Sequence, residues 1–120
     1  MKNKNLLQAF GHAFAGIRRT AARERNFRIQ VIIAAAAVLA CIIFRVDNWH
    51  FLAVVMSIFF VLAMELVNTA VEAVVDLICQ KKPHPIAKIA KDAAAGAVLM
   101  ASFMAIIVGV LTALSVLSRY

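Results

Sequence analysis

Three long stretches without an ionised side chain, Ile29 to Phe44, Asn48 to Met64 and Ala93 to Ser118, restrict what this chain can fold into. Crossing a hydrocarbon core takes about 20 residues of helix. The third run is long enough alone, and the first two need only a few flanking residues. With 64% apolar and 16% charged residues, the 120-residue chain has too few polar groups to cover a water-soluble globule. The expected fold is all-α and integral to a membrane. One domain over residues 1–120 carries an amphipathic surface helix at about 5–25 and spans at about 28–46, 49–79 and 90–118.

Charge sets the orientation, because Lys and Arg close to a span stay on the cytoplasmic side. Residues 1–28 hold Lys2, Lys4, Arg18, Arg19, Arg23, Arg25 and Arg28, and the loop before the third span holds Lys81, Lys82, Lys88 and Lys91. The loop between the first two spans holds Arg45 balanced by Asp47. The N-terminus is therefore expected inside and the C-terminus outside, with Trp49, His50 and Tyr120 at the outer interface. Topology and attraction to anionic lipid account for the net charge of +7, so a nucleic-acid partner is not implied. The first apolar run begins after 28 residues with no small-residue cleavage site behind it, which predicts no cleaved leader. Cys41 and Cys79 fall at different depths and suggest neither a disulfide nor a thiolate metal site.

Leu6, Leu7, Phe10, Ala13, Phe14, Ile17 and Ala21 recur mostly three or four residues apart, with arginines largely on other faces, as in a helix lying in the interface. The run Ala34 to Ala37 makes the first span thin, and Ala94 to Ala97 do the same for the third. Small side chains let helix backbones approach closely, so both spans expect protein neighbours. Pro83 and Pro85 break the helix pattern between the second and third spans.

The segment MELVNTAVEAVVD interrupts this apolar pattern with Glu65, Asn68, Glu72 and Asp76. At 3.6 residues per turn the four fall within about 80° of one another, with Thr69 in the same arc. If the second span enters hydrocarbon near Phe51, a core of about 30 Å ends near residue 71. Glu65 then lies roughly 9 Å below the cytoplasmic surface and Glu72 close to it. An ionisable group at that depth is costly and marks a functional site by default, although a lone carboxylate can also serve as an interhelical polar contact. Several like charges on one stripe need a neutralising cation. An all-oxygen set suits Mg2+, which takes one or two carboxylates and completes its shell with water and phosphate oxygens. Glu24, the sole acid in residues 1–28, and the pair Lys91 and Asp92 fall near the same interface level. Metal-holding carboxylates, phosphate-seeking lysines and one sunken carboxylate are the parts of phosphoryl transfer to a lipid alcohol. Neither a GxxxxGK[ST] loop nor an HRD or DFG sequence occurs, so a kinase built this way is unrelated to the soluble ones.

ELVNTAVEAVVD followed by AKIAKDAAAGAVL, with RERNFR before the first span, resembles the signature of the prokaryotic diacylglycerol kinase family. The resemblance implies a homotrimer in the bacterial plasma membrane, with MgATP as donor and active sites between subunits at the cytoplasmic face. It implies Glu65 as general base on the lipid hydroxyl, Glu24 and Glu72 as Mg2+ ligands, and Asn68 and Asp76 in support. Lys91, Asp92 and His84 match positions near the nucleotide, and His12 takes a place held by an aromatic there in another branch. Arg18, Asn26, Phe27 and Arg28 fall where the family handles the lipid. The wording of ERNF and HPIAKIAKDAAAGAV resembles the Gram-positive branch, which implies undecaprenol as acceptor, with diacylglycerol the alternative. A proton-coupled transporter built on Glu65 is the reading from another class, and it lacks an ionisable path past Glu65 through the spans.

Overall fold

The computed structural model describes residues 5–120 and contains four helices in the order α1 (Leu6–Arg23), α2 (Arg25–Ile43), α3 (Asn48–Cys79) and α4 (Pro85–Leu117). Lys2 and Lys4 of the basic N-terminal set lie outside the described residues. The three later helices are long and apolar enough to cross a membrane.

Helices α1, α3 and α4 each start on a side chain that accepts one of the unpaired N–H groups, whereas Glu24 caps α2 with no side-chain hydrogen bond. Asn5 Oδ1 accepts from Gln8 N at 2.9 Å and Asp47 Oδ2 from His50 N at 3.2 Å, while His84 Nδ1 accepts from Ile86 N at 3.1 Å. The bond from the His50 backbone, together with a 2.7 Å contact to its ring, holds the Asp47 carboxyl below the usual carboxylate range. Between α1 and α2 the chain turns at a single extended residue, Glu24, whose N–H donates to Thr20 O. Arg28 reaches back across this corner, donating from Nη1 to the carbonyls of Ala21 (2.9 Å) and Ala22 (3.0 Å). It thereby satisfies acceptors that the end of α1 leaves open.

At the other end of α2, helix gives way to a turn at Phe44, short of the expected limit of the first span. Arg45 is left-handed there, with φ of 50°. Arg119 grips this turn, donating to Phe44 O at 2.9 Å and Arg45 O at 3.1 Å. Helix α3 runs 32 residues, about 48 Å, and so is much longer than a hydrocarbon core requires. It ends on two consecutive left-handed residues, Gln80 (φ 49°) and Lys81 (φ 62°), a conformation disfavoured for side chains with Cβ. The last helix begins at Pro85, earlier than the sequence pattern places the third span. Proline at the first helical position has no N–H to leave unpaired and its φ already suits a helix, so Pro85 starts α4 where Pro83 forbids α3 to continue.

The long pair α3 and α4 forms the main packing, with α2 laid on α3 and α1 touching both α2 and α3. Few side chains are fully enclosed: Phe27, Cys41, Val54, Val61 and Ala101 are the buried apolar ones. The apolar face of α1, including Leu6, Leu7, Phe10 and Phe14, is exposed, as a helix lying in an interface requires. Among the described residues α2 and α4 do not pack on each other. Between them runs an apolar groove of about 600 Å3 lined in part by Ala34, Ala37, Cys41, Val54, Val61 and Gly109.

Candidate active site

Glu65 is buried, at 8% exposure, just past the middle of α3. Its depth comes from helix packing: Val54, Ser57 and Val61, three and four residues apart before it, are the other buried positions of α3 and continue the same inward face. One turn further, Asn68 donates from Nδ2 to Glu72 Oε1 at 2.9 Å. A carboxylate only accepts hydrogen bonds, so this contact fixes the amide with its nitrogen toward Glu72. The other amide atom, Asn68 Oδ1, is buried without a partner. Thr69 donates its hydroxyl to the backbone carbonyl of Glu65 at 3.0 Å.

The corner between α1 and α2 brings a second helix pair to this level. Glu24 is half-buried there, and its charge and that of Glu72 both act on Glu65. Phe27, expected at the lipid entrance, is 3% exposed and belongs to the core of this corner. Arg28 is tied to the end of α1, while Asn26, Arg18 and His12 are exposed.

Asp76 continues the stripe outward and is met from α4 by Lys91, whose Nζ lies 2.6 Å from Asp76 Oδ1. This pair is half-exposed, so solvent screening keeps its own contribution to stability small. Its use is positional, since it locks the base of α4 against the acidic face of α3. Asp92 pairs within α4 with Lys88, Nζ to Oδ2, also at 2.6 Å. Both pairs line a cleft of about 470 Å3 between the end of α3 and the start of α4, whose rim includes Lys81, Lys82 and His84. The site residues thus fall into two groups: Glu65, Asn68 and Glu72 on α3 with Glu24 at the α1–α2 corner, and Asp76, His84, Lys91 and Asp92 around the cleft. His12 and Arg18 on α1 and Asn26 on α2 are not among the residues lining that cleft.

No three His, Cys, Asp or Glu side chains among the described residues converge as a closed metal cage. Mg2+ does not ask for one, because it commonly takes one or two protein carboxylates and keeps water and phosphate for the rest. The donors present fit that habit: two carboxylates, Glu24 and Glu72, whose charges both act on Glu65, and the buried, unpartnered carbonyl oxygen of Asn68.

Residues 11–113 match the sequence profile of the prokaryotic diacylglycerol kinase family. The chain belongs to that family. It is 42% identical over 105 residues to a diacylglycerol kinase of Synechocystis sp., an alignment covering 88% of this chain and 60% of that relative, so the chain spans less than two-thirds of that relative's length. It is 39% identical over 104 residues to the undecaprenol kinase of Bacillus subtilis, covering 87% of this chain and 84% of the other. Against the diacylglycerol kinase of Escherichia coli the identity is 34% over 103 residues, 85% and 83% of the two chains. The matched region of this family member takes in both residue groups, from Glu24 to Asp92.

Sequence reasoning did not single out Lys88, Lys81 and Lys82 as site residues. The Lys88 and Asp92 spacing of four was a usable signal, since such residues share a helix face. That Lys81 and Lys82 rim the same cleft depends on the left-handed turn at Gln80 and Lys81, which no local motif announces.

Proposed function

We propose that this protein is a multi-pass membrane kinase that transfers the γ-phosphoryl group of ATP to the hydroxyl of a lipid alcohol, undecaprenol, yielding undecaprenyl phosphate. The observation that carries the reading is the buried carboxylate of Glu65 on a stripe that runs out to a lysine-lined cleft, in a chain of this family. A lipid hydroxyl lies just beneath the headgroups and reaches Glu65 from the bilayer, while a nucleotide reaches the cleft from the cytosol.

In this mechanism Glu65 accepts the hydroxyl proton at a carboxylate oxygen as the lipid oxygen bonds to the γ-phosphorus. The bond from that phosphorus to the bridging oxygen breaks, and ADP leaves. Glu72 and Glu24 with Asn68 Oδ1 would hold Mg2+, which supplies neutralisation of the phosphate charge. Asn68 keeps Glu72 oriented through its 2.9 Å hydrogen bond. Lys91, steadied by Asp76, faces the phosphates, and Asp92 and His84 the remainder of the nucleotide. Burial of Glu65 excludes bulk water, which would otherwise compete with the lipid as phosphoryl acceptor.

The basic residues near the start of α2 and of α4 support an orientation with the N-terminus in the cytoplasm and the C-terminus outside. The alanine-lined groove between α2 and α4 supports assembly into a homotrimer, since small residues invite close helix contact.

For the acceptor, the stretch around Asn26 to Val31 offers few uncharged polar side chains beside Phe27, Ile29 and Val31. Diacylglycerol brings two ester groups that want hydrogen-bond partners, and a polyprenol brings only hydrocarbon. The test is kcat/KM for undecaprenol and diacylglycerol in the same mixed micelles at equal surface fraction. A higher value for undecaprenol is expected. Preference for diacylglycerol would overturn the acceptor and leave the kinase mechanism standing, and lipid-independent ATP consumption would overturn both.

A further inference from the structure

Lys88 is left unused by the mechanism above, yet it stands in the cleft that the mechanism needs. It sits on the first turn of α4, three residues before Lys91 and so about 4.5 Å farther toward the cytosol along the helix axis. The two lysines form two tiers. In the inner tier Lys91 meets Asp76 at 2.6 Å with side chains 40% and 36% exposed, and in the outer tier Lys88 meets Asp92 at 2.6 Å with side chains 77% and 65% exposed.

Helix support is a poor account of Lys88. An exposed pair of this spacing contributes little to stability, and the order with Lys on the N-terminal side is the less favourable one. A cation in the first turn also sits at the positive end of the helix dipole, where it costs stability. Its placement does serve the cleft: four lysines against two aspartates leave a formal excess of positive charge around a space of about 470 Å3. The two ammonium groups that already hold carboxylates both line that space.

Resting on the kinase reading of this site, we propose that Lys88 is a second polyphosphate-contacting residue of the cleft, one tier outside Lys91, with Asp92 as its partner when no nucleotide is bound. On binding, the Lys88 ammonium exchanges its carboxylate contact for phosphate oxygens. Without Lys88, Asp92 would stand unneutralised at the mouth of the cleft and repel an incoming triphosphate, so the loss acts twice.

The experiment uses the full-length protein in detergent, as wild type, Lys88→Gln and Lys88→Arg. Equilibrium binding of inorganic tripolyphosphate is measured beside steady-state kinetics. Lys88→Gln should weaken tripolyphosphate binding by about 5- to 10-fold, the loss of one partly solvated charge-assisted contact. KM for ATP should rise by a similar factor, with kcat at saturating ATP and KM for lipid nearly unchanged. Lys88→Arg should restore most of both, and the difference between wild type and Lys88→Gln should shrink in 0.5 M salt, where the Debye length falls to roughly 4 Å. A residue that only supported the helix would lower the thermal midpoint and move neither binding nor KM. Unchanged tripolyphosphate binding and KM in folded Lys88→Gln would overturn the proposal while leaving the kinase reading intact. Conversely, Lys88-dependent tripolyphosphate binding in a protein that phosphorylates no lipid alcohol would overturn the kinase reading and leave this site standing.

Discussion

Replacing Glu65 with Gln separates the chemical role of this side chain from its structural one. The two side chains are nearly the same size, so the change opens no cavity around a position that is 8% exposed. No salt bridge among the described residues involves Glu65, so the substitution orphans no cation. It removes a carboxylate that the fold keeps away from water beside two others, Glu24 and Glu72, a costly arrangement. Glu65→Gln is therefore expected to be as stable as the wild type or more so. What it cannot do is accept the proton of the lipid hydroxyl. Loss of a positioned general base lowers turnover by about 10²- to 10⁴-fold, which corresponds to roughly 3 to 5 kcal/mol of barrier. The assay is the initial rate of lipid phosphorylation at saturating ATP and saturating lipid in mixed micelles, with a thermal melt and ATP affinity measured on the same preparation. Retention of near-full turnover would refute the base assignment and leave Glu65 as an interhelical polar contact. A fall in turnover that merely tracks a lower melting temperature would refute the claim that burial and chemistry are separable here.

Two further expectations follow from the geometry. Glu24→Gln and Glu72→Gln should each raise the Mg2+ concentration required for half-maximal activity, and the double variant should lose less than the product of the single effects, because both act on one ion; additive losses with unchanged Mg2+ dependence would assign the two residues separate tasks. If sites are completed between chains, co-assembled Glu65→Gln and Lys91→Ala subunits should recover part of the activity that each lacks alone, and verified mixed oligomers without recovery would confine each site to one chain.

Much of the candidate site was legible because it lies on one helix. Helical periodicity alone aligns Glu65, Asn68, Glu72 and Asp76, and the observed α3 carries all four. The Asn68 to Glu72 hydrogen bond is likewise a spacing-of-four contact. The buried state of Glu65 was expected from depth in a bilayer, whereas in the structure it comes from protein packing, a term that no single-helix pattern contains. The site's other half was less readable. The Lys91 to Asp76 pair spans fifteen residues and a loop whose course is set by two left-handed residues without glycine.

What the sequence by itself determined is therefore the set of helices, their apolar length and the angular position of each polar group about its own axis. Those properties depend on neighbours within a few residues, where bonding geometry leaves little freedom. The tertiary structure alone decided which faces meet: Phe27 in the core rather than at the surface, α2 held against α3 but parted from α4, and Arg119 reaching 75 residues back to the Phe44 carbonyl. Such contacts depend on how loops direct the helix axes and on how side chains interlock across them, and many pairings of apolar faces bury comparable area. Only the assembled helices select among them, and with that selection they bring the cleft lysines to the end of the acidic stripe.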